Sequence, residues 1–302
     1  MKKHLIIIAG PTAVGKTALA VELAKHFACP VISADSRQFF KEMSIGTAKP
    51  TPEEMQGVPH EFIDHISIHG HYNVGQYERD AIARIEALFR THNQLILVGG
   101  SGLYINAILN GVDEFEEVPA EIREQLQAGY SEKGMAYLQD LLKEHDPAYY
   151  AQVDLNNPQR LMRALEVCLH SGKPYSSFRT REKKERPFEA IPLLINTERD
   201  LLYERINRRV DLMMANGLLN EVKALYPHKQ LNALNTVGYK ELFDFLDGKS
   251  SLEEAVALIK QNTRRYAKRQ LTWFNNQGDF ESFEPGDLEK IKAYLDVVIL
   301  HS

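Results

Sequence analysis

Long apolar runs are missing from this chain of 302 residues. No stretch approaches the ~20 apolar residues that a membrane-spanning helix needs, so no membrane partner is expected. Cysteine is scarce. Cys29 and Cys168 are its two cysteines, far apart, and no CxxC pair occurs. That argues against a cysteine zinc site, and two buried reduced thiols are the expectation. Positive charge is not in excess either. The 36 Lys and Arg residues against 41 Asp and Glu leave a net charge of −5. The whole molecule therefore offers no bulk attraction to nucleic acid, and a polyanionic partner would have to be held by a local basic patch. The opening MKKHLIIIAG has a short apolar run without the long apolar core and small-residue cleavage site of a secretory leader. A cytoplasmic location is expected. The HGH at 69–71 has no nearby cysteine or paired acids, so it reads as a solvated loop rather than a metal site.

What is present is ordinary globular material, 44% hydrophobic and 25% charged, enough for one large domain or a domain with an insertion. HLIIIAG (4–10), PVISAD (30–35), QLILVGG (94–100) and IPLLINT (191–197) read as short buried strands. Helical spacing separates them, as at 17–27 and 76–89. Strands alternating with helices predict a parallel α/β sheet. Between Val112 and Pro187 no strand-like run occurs, and helical patterns surround Ile122–Leu126, Met135–Leu142 and Pro158–His170. The charged runs DEFEE (113–117) and RTREKKER (179–186) flank this part. The expectation is an α/β core over 1–115 and 188–302 with a helical insertion over 116–187. Everything after Leu201 reads as helical, with Gly217 as a helix cap.

GPTAVGKT at 10–17 lies between the first strand and the first helix. Gly10, Pro11, Thr12, Ala13, Val14, Gly15, Lys16 and Thr17 at this spacing build a cradle for a di- or triphosphate. The glycines let backbone N–H groups face an anion, Lys16 adds a point charge, the Thr17 hydroxyl suits Mg²⁺, and the helix aims its positive end at the same place. A hydrolase of this type normally carries an acid after a later strand. Here the third strand ends in LVGG, and the acid, Asp35, ends the second. Ligands of such sheets bind beyond the carboxyl ends of the strands, so Asp35 should face a second substrate over the cradle, as a base. A transferase is the reading that follows.

SADSRQFF (33–40) and IGTAKP (45–50), taken with GPTAVGKT, are more specific than a phosphate loop. So are GVPHEFID (57–64), GGSGLYINAIL (99–109), NNPQRLMRALEV (156–167), NTVGYKEL (235–242) and TRRYAKRQLTWF (263–274). In this order they resemble the bacterial tRNA dimethylallyltransferases. That resemblance implies a P-loop NTPase (nucleotide kinase-like) core with a helical insertion and a helical C-terminal third. It implies transfer of a dimethylallyl group from dimethylallyl diphosphate to N6 of adenosine 37, beside the anticodon in tRNAs that read codons starting with U, with release of diphosphate. Mg²⁺ is the implied cofactor, the tRNA anticodon stem-loop the implied partner, and a monomer the expected state. Lys16, Asp35 and Ser101 are the implied catalytic residues. Asp35, Ser36, Arg37, Gln38 and Ser101 would contact the flipped-out adenosine. Arg123 and the stretch Gln159, Arg160, Leu161, Met162 and Arg163 would touch tRNA. Position 101 is usually threonine in that family, and Ser101 keeps the hydroxyl. Phe40 stands where the family mostly has tyrosine, which leaves packing. Arg205, Arg208 and Arg209 are candidates for the diphosphate. Arg265, Lys268, Arg269 and Trp273 fall along one helical side, a stripe that suits an RNA backbone.

Two other classes share the cradle. A small-molecule kinase would hold ATP there and use Asp35 on a hydroxyl. A nucleotide-gated RNA-binding switch would carry out no transfer. A related sub-class prenylates free adenine nucleotides. The ordered set of motifs disfavours the kinase, the missing acid disfavours the switch, and the insertion with the basic helix favours tRNA over a mononucleotide.

Overall fold

The structure, a computed structural model, describes residues 2–113, 115–116, 118–179, 183–277 and 280–301. Glu114, Glu117 and residues 180–182 of the two charged runs lie outside them. The chain divides into two compact units, Met1–Asn110 with Lys184–Ser302, and Gly111–Lys183. Both divisions fall earlier in the chain than the 116 and 187 expected from sequence.

The first unit opens with β1 (His4–Ala9), a β-branched run buried along its whole length. Such a strand is covered on both faces, as a parallel sheet requires. Truncating one of its isoleucines to alanine would cost about 2–5 kcal/mol. Then follow α1 (Lys16–Phe27), β2 (Val31–Ser33), α2 (Pro52–Met55), β3 (His60–Glu61), α3 (Val74–Leu88), β4 (Gln94–Gly99) and α4 (Gly102–Asn110). The second unit holds α5 (Ala120–Lys133), α6 (Met135–His145), α7 (Pro147–Tyr150) and α8 (Pro158–Ser171). These helices close on their own core of Leu126, Leu138, Leu142, Leu161 and Leu165. Among the described residues this unit has no strand. The Asn110 carbonyl accepts the Lys184 N–H at 3.0 Å, so the first unit is left and re-entered at one point. It resumes with β5 (Glu189–Ile195), α9 (Arg199–Ala215), α10 (Leu218–Leu225), α11 (Tyr239–Leu246), α12 (Leu252–Asn275), β6 (Glu281–Phe283) and α13 (Leu288–His301).

The six strands form one all-parallel sheet in the order β3-β2-β4-β1-β5-β6. Ala9 pairs with Gly99 and with Leu194, so β1, β4 and β5 end at one edge. Sequence periodicity missed β3 and β6. They span two and three residues at the sheet margins, too short for an alternating pattern. β6 also corrects the expectation of an all-helical end, because Leu193–Ile195 pair with Glu281–Phe283. β2 is shorter than expected. Ala34 still donates its N–H to Val98 at 2.7 Å, and the chain then turns at Asp35. Gly217 closes α9 as expected: the helix stops at Ala215, Asn216 follows, and Gly217, left-handed at φ 98°, donates its N–H back to the Met214 carbonyl at 3.2 Å before α10 starts.

No described helix is long and apolar enough to cross a membrane. Both cysteines are buried free thiols, and burial pushes Cys29 up to about 12. Phe40 is buried, consistent with packing alone. His69 and His71 are exposed, and the His69 ring meets that of His228 edge-on.

Candidate active site

The cradle occupies the turn from β1 into α1. Its conformation needs glycine at Gly10, whose φ is 151°, and where a Cβ would lie 2.3 Å from the Ile195 carbonyl oxygen. Ala13 also sits in the left-handed region, at φ 64°. Gly15 caps α1 with no side-chain bond, and the first turn carries no acid. By contrast α3 and α12 start with complete capping boxes, Asn73 with Gln76 and Ser251 with Glu254. The opening N–H groups of α1 are thus left without a side-chain partner, at the positive end of the helix dipole.

Three cations crowd this turn. Lys16 Nζ donates to the Pro11 carbonyl at 2.7 Å. Arg205 Nη1 donates to the Val14 carbonyl at 3.2 Å, and Arg209 Nη1 to the Thr12 hydroxyl at 3.1 Å. Arg208, the third arginine considered from sequence, is exposed. Burial lowers the Lys16 ammonium from its ordinary 10.5 to about 7; the Arg209 charge adds to this and the Asp35 carboxylate opposes it. Burial also lowers Arg209, again against the pull of Asp35. Surroundings that penalise their own cations are ones that an anion would relieve.

Asp35 faces this group from the end of β2. Its Oδ1 accepts the Arg37 N–H at 2.9 Å and the Gln38 N–H at 3.3 Å, which fixes the turn. Arg37 Nη1 is tied to the carbonyls of Asn232 (3.2 Å) and Ala233 (3.0 Å). Gln38 Nε2 donates to the carbonyls of Thr47 (3.3 Å) and Ala48 (3.2 Å). Ser101, just after β4, is buried. Its Oγ accepts the Ser36 N–H at 3.1 Å and donates to the Ser36 hydroxyl at 3.2 Å. Tyr266 on α12 keeps 36% of its surface exposed, yet partial desolvation and the nearby Asp35 charge push its phenol up to about 12. Tyr104 on α4 feels both Arg37 and Asp35, with burial raising its phenol. The structure thus gathers Lys16, Asp35, Ser36, Arg37, Gln38 and Ser101 at one edge of one unit.

In the second unit Asn157 caps α8 by accepting the Arg160 N–H at 3.2 Å. Gln159, Arg160 and Arg163 are exposed. Leu161 and Met162 are not: the helix phase that exposes Arg160 and Arg163 turns both into the core. Their side chains are thus packing residues of this unit, and a contact of this stretch with tRNA would be made by its exposed face, Gln159, Arg160 and Arg163. Arg123 Nε lies 3.7 Å and Arg163 Nη1 3.2 Å from the buried carboxylate of Glu166, so these two arginines converge.

The model of the IPP transferase family matches residues 38–277. The chain belongs to the IPP transferase family. It is 54% identical over 284 residues to the tRNA dimethylallyltransferase of Christiangramia forsetii, covering 94% of each chain. It is 51% identical over 288 residues to that of Flavobacterium johnsoniae, covering 93% of each. Among solved structures it is similar to the full-length tRNA isopentenylpyrophosphate transferase of Bacillus halodurans, with a TM-score of 0.73, 38% identity, and 98% of this chain and 96% of that one covered. A eukaryotic dimethylallyltransferase acting on tRNA superposes with a TM-score of 0.80 at 28% identity, over 95% of this chain and 75% of that one. The core of this IPP transferase is an α/β fold of the P-loop NTPase type.

Four side chains of the site went unassigned on sequence. Tyr104 and Tyr266 both feel the charge of Asp35. Gln270 and Glu221 hold backbone of the cradle and of the 44–46 loop. Gln270 alone left a trace, as a polar residue on the apolar side of α12 beside Ala267 and Phe274. Along α12 Arg265, Lys268 and Arg269 are exposed and Trp273 half-buried.

Proposed function

We propose that this chain transfers a dimethylallyl group from dimethylallyl diphosphate to N6 of adenosine 37 in tRNAs that read codons starting with U. The observation that carries the reading is the carboxylate of Asp35, within electrostatic reach of both Lys16 and Arg209. A leaving anion and a reacting amine need those opposite charges side by side.

The amino group of adenine is a poor nucleophile because its lone pair is delocalised into the ring. An allylic carbon compensates by ionising easily. As its C–O bond breaks, the electron pair leaves with the diphosphate, onto which Lys16, Arg209 and the first N–H groups of α1 converge. As the C–N bond forms, the N6 proton becomes acidic and passes to Asp35. Ser36 and Ser101, bonded to each other beside Asp35, offer hydroxyls to an extruded base.

Mg²⁺ is the cofactor this reading implies. The residues present fit it: Thr17, in the first turn of α1, carries a hydroxyl, a hard oxygen donor that would hold the ion together with water and diphosphate oxygens. Bound there it would neutralise charge on the diphosphate. The partner is the tRNA anticodon stem-loop, the acting species a monomer, and the compartment the cytoplasm. Exposed cations on α12 give the first unit, and exposed arginines on α5 and α8 give the second, each a local basic surface that a net charge of −5 does not.

The test is incubation with Mg²⁺, radiolabelled dimethylallyl diphosphate and tRNA carrying consecutive adenosines after the anticodon. Digestion to nucleosides should place the label on N6 of the adenosine at position 37. Label on free AMP but not on tRNA would move the chain to the nucleotide-prenylating sub-class. ATP turnover driven by a small alcohol, without prenyl transfer, would make it a kinase.

A further inference from the structure

Gln270 is a buried polar side chain on an apolar stripe, between Ala267 and Phe274 on α12. A buried amide is costly unless both of its ends are bonded. Here both are. Its Oε1 accepts the Thr12 N–H at 2.9 Å, and its Nε2 donates to the Gly100 carbonyl at 2.8 Å. One partner is a donor and the other an acceptor, so the amide has a single orientation; turned over, it would face both with the wrong atom. The packing is as one-sided as the bonding. A Cβ on Gly100 would lie 2.3 Å from Gln270 Nε2 and 3.3 Å from the Gly10 carbonyl oxygen.

The two bonds end in the two halves of the site. Thr12 belongs to the cradle, and its hydroxyl receives Arg209. Gly100 precedes Ser101, whose hydroxyl is bonded to Ser36 beside Asp35. Thr12 and Gly100 lie 258 and 170 residues from Gln270 in the chain, so this one side chain closes two long loops. We propose that Gln270 is a positioning residue that sets the spacing between the diphosphate cradle and the Asp35–Ser101 edge during transfer. The proposal rests on the prenyl-transfer reading above. Displacement at an allylic carbon depends on how the amine lines up with the leaving oxygen, and a misplacement of about 1 Å costs on the order of a hundredfold in rate. The Thr12 N–H is engaged by Gln270, so it is not among the groups that grip the diphosphate. Gln270 therefore acts on alignment and not on affinity.

Gln270→Met keeps the length of the side chain and removes both bonds. Gln270→Asn keeps a neutral amide one methylene too short to reach both Thr12 and Gly100; it decides the question where Gln270→Met does not fold. Single-turnover transfer at saturating dimethylallyl diphosphate and tRNA should fall about a hundredfold in either variant. Dissociation constants for pyrophosphate and tRNA should stay within about threefold, the mark of an interaction felt in the transition state. Gly100→Ala separates packing from bonding. It should melt below the unsubstituted protein, and Gly100→Ala combined with Gln270→Ala should regain melting temperature without regaining rate. Transfer at the original rate in the variants would overturn the proposal, as would a rate loss that follows pyrophosphate affinity, or a double variant that recovers both properties together. Transfer by the unsubstituted chain with unimpaired variants would remove the role of Gln270 alone. Failure of the unsubstituted chain to prenylate any tRNA would remove the reaction reading and this role with it.

Discussion

Tyr239 donates its phenol hydroxyl to the carboxylate of Glu221 at 2.6 Å, and that carboxylate also gathers three consecutive backbone amides. Ser44 N–H (3.0 Å) and Ile45 N–H (2.8 Å) reach Oε2, and Gly46 N–H (3.0 Å) reaches Oε1. Successive N–H groups form a concavity that favours an anion, and here the protein supplies its own. The loop held this way leads into Thr47 and Ala48, whose carbonyls receive Gln38 and Arg209. Glu221 thus stands behind two residues of the site.

Replacing Glu221 by alanine should leave three amides and a phenol without their acceptor. Amide exchange at residues 44–46 should speed up markedly, measured by hydrogen–deuterium exchange. Tyr239→Phe removes one of the four bonds and should cost about 1 kcal/mol. An exchange rate at 44–46 that is unchanged in Glu221→Ala would contradict the bonding described.

Lys16 gives the site a pH dependence with a definite sign. Its folded-state value of about 7 lies below the ordinary 10.5. Between those values the unfolded chain holds a proton that the folded one has released, so this lysine makes the unliganded protein more stable as pH rises from 7. Ligand binding runs the other way. Pyrophosphate favours the charged ammonium, so above pH 7 binding should take up a proton and weaken by up to about tenfold per pH unit. Calorimetry in two buffers of different ionisation enthalpy reads the proton directly. Lys16→Arg, whose guanidinium stays charged, should lose that uptake.

Asp35→Asn isolates charge from shape. The amide oxygen can still accept the Arg37 and Gln38 N–H groups that hold the turn. What is lost is the negative charge and the proton acceptor. Single-turnover transfer should fall by about a hundred- to ten-thousandfold, while tRNA affinity stays within about twofold. Turnover equal to that of the unsubstituted chain would remove Asp35 as the base.

The cradle was legible because its chemistry is local: glycines, lysine and threonine in eight residues between a buried strand and a helix. The placing of Asp35 was legible because parallel strands share one carboxyl edge. Gln270 and Glu221 were not, since each acts across the fold, on Thr12 258 residues away and on Gly46 175 residues away. β3 and β6 escaped because an edge strand of two or three residues has no period. The case of Leu161 and Met162 is different. Leu161, Ala164, Leu165 and Cys168 follow helical spacing and are all buried, so the sequence itself carried the inward phase that a family-wide stretch obscures.

That phase separates two neighbours on α8. Leu161 has no exposed surface and belongs to the core of the second unit, whereas Arg160 beside it is exposed. Leu161→Ala should destabilise the protein by about 2–5 kcal/mol through the cavity it leaves. Arg160→Ala should change stability by no more than about 0.5 kcal/mol. On tRNA the order reverses. Losing one phosphate-facing cation should weaken binding and lower the salt dependence of log K by about 0.7–0.9. Leu161→Ala, measured well below its melting temperature, should keep the original salt slope. An Arg160→Ala variant with unchanged affinity and slope would show that this face of α8 does not meet the RNA.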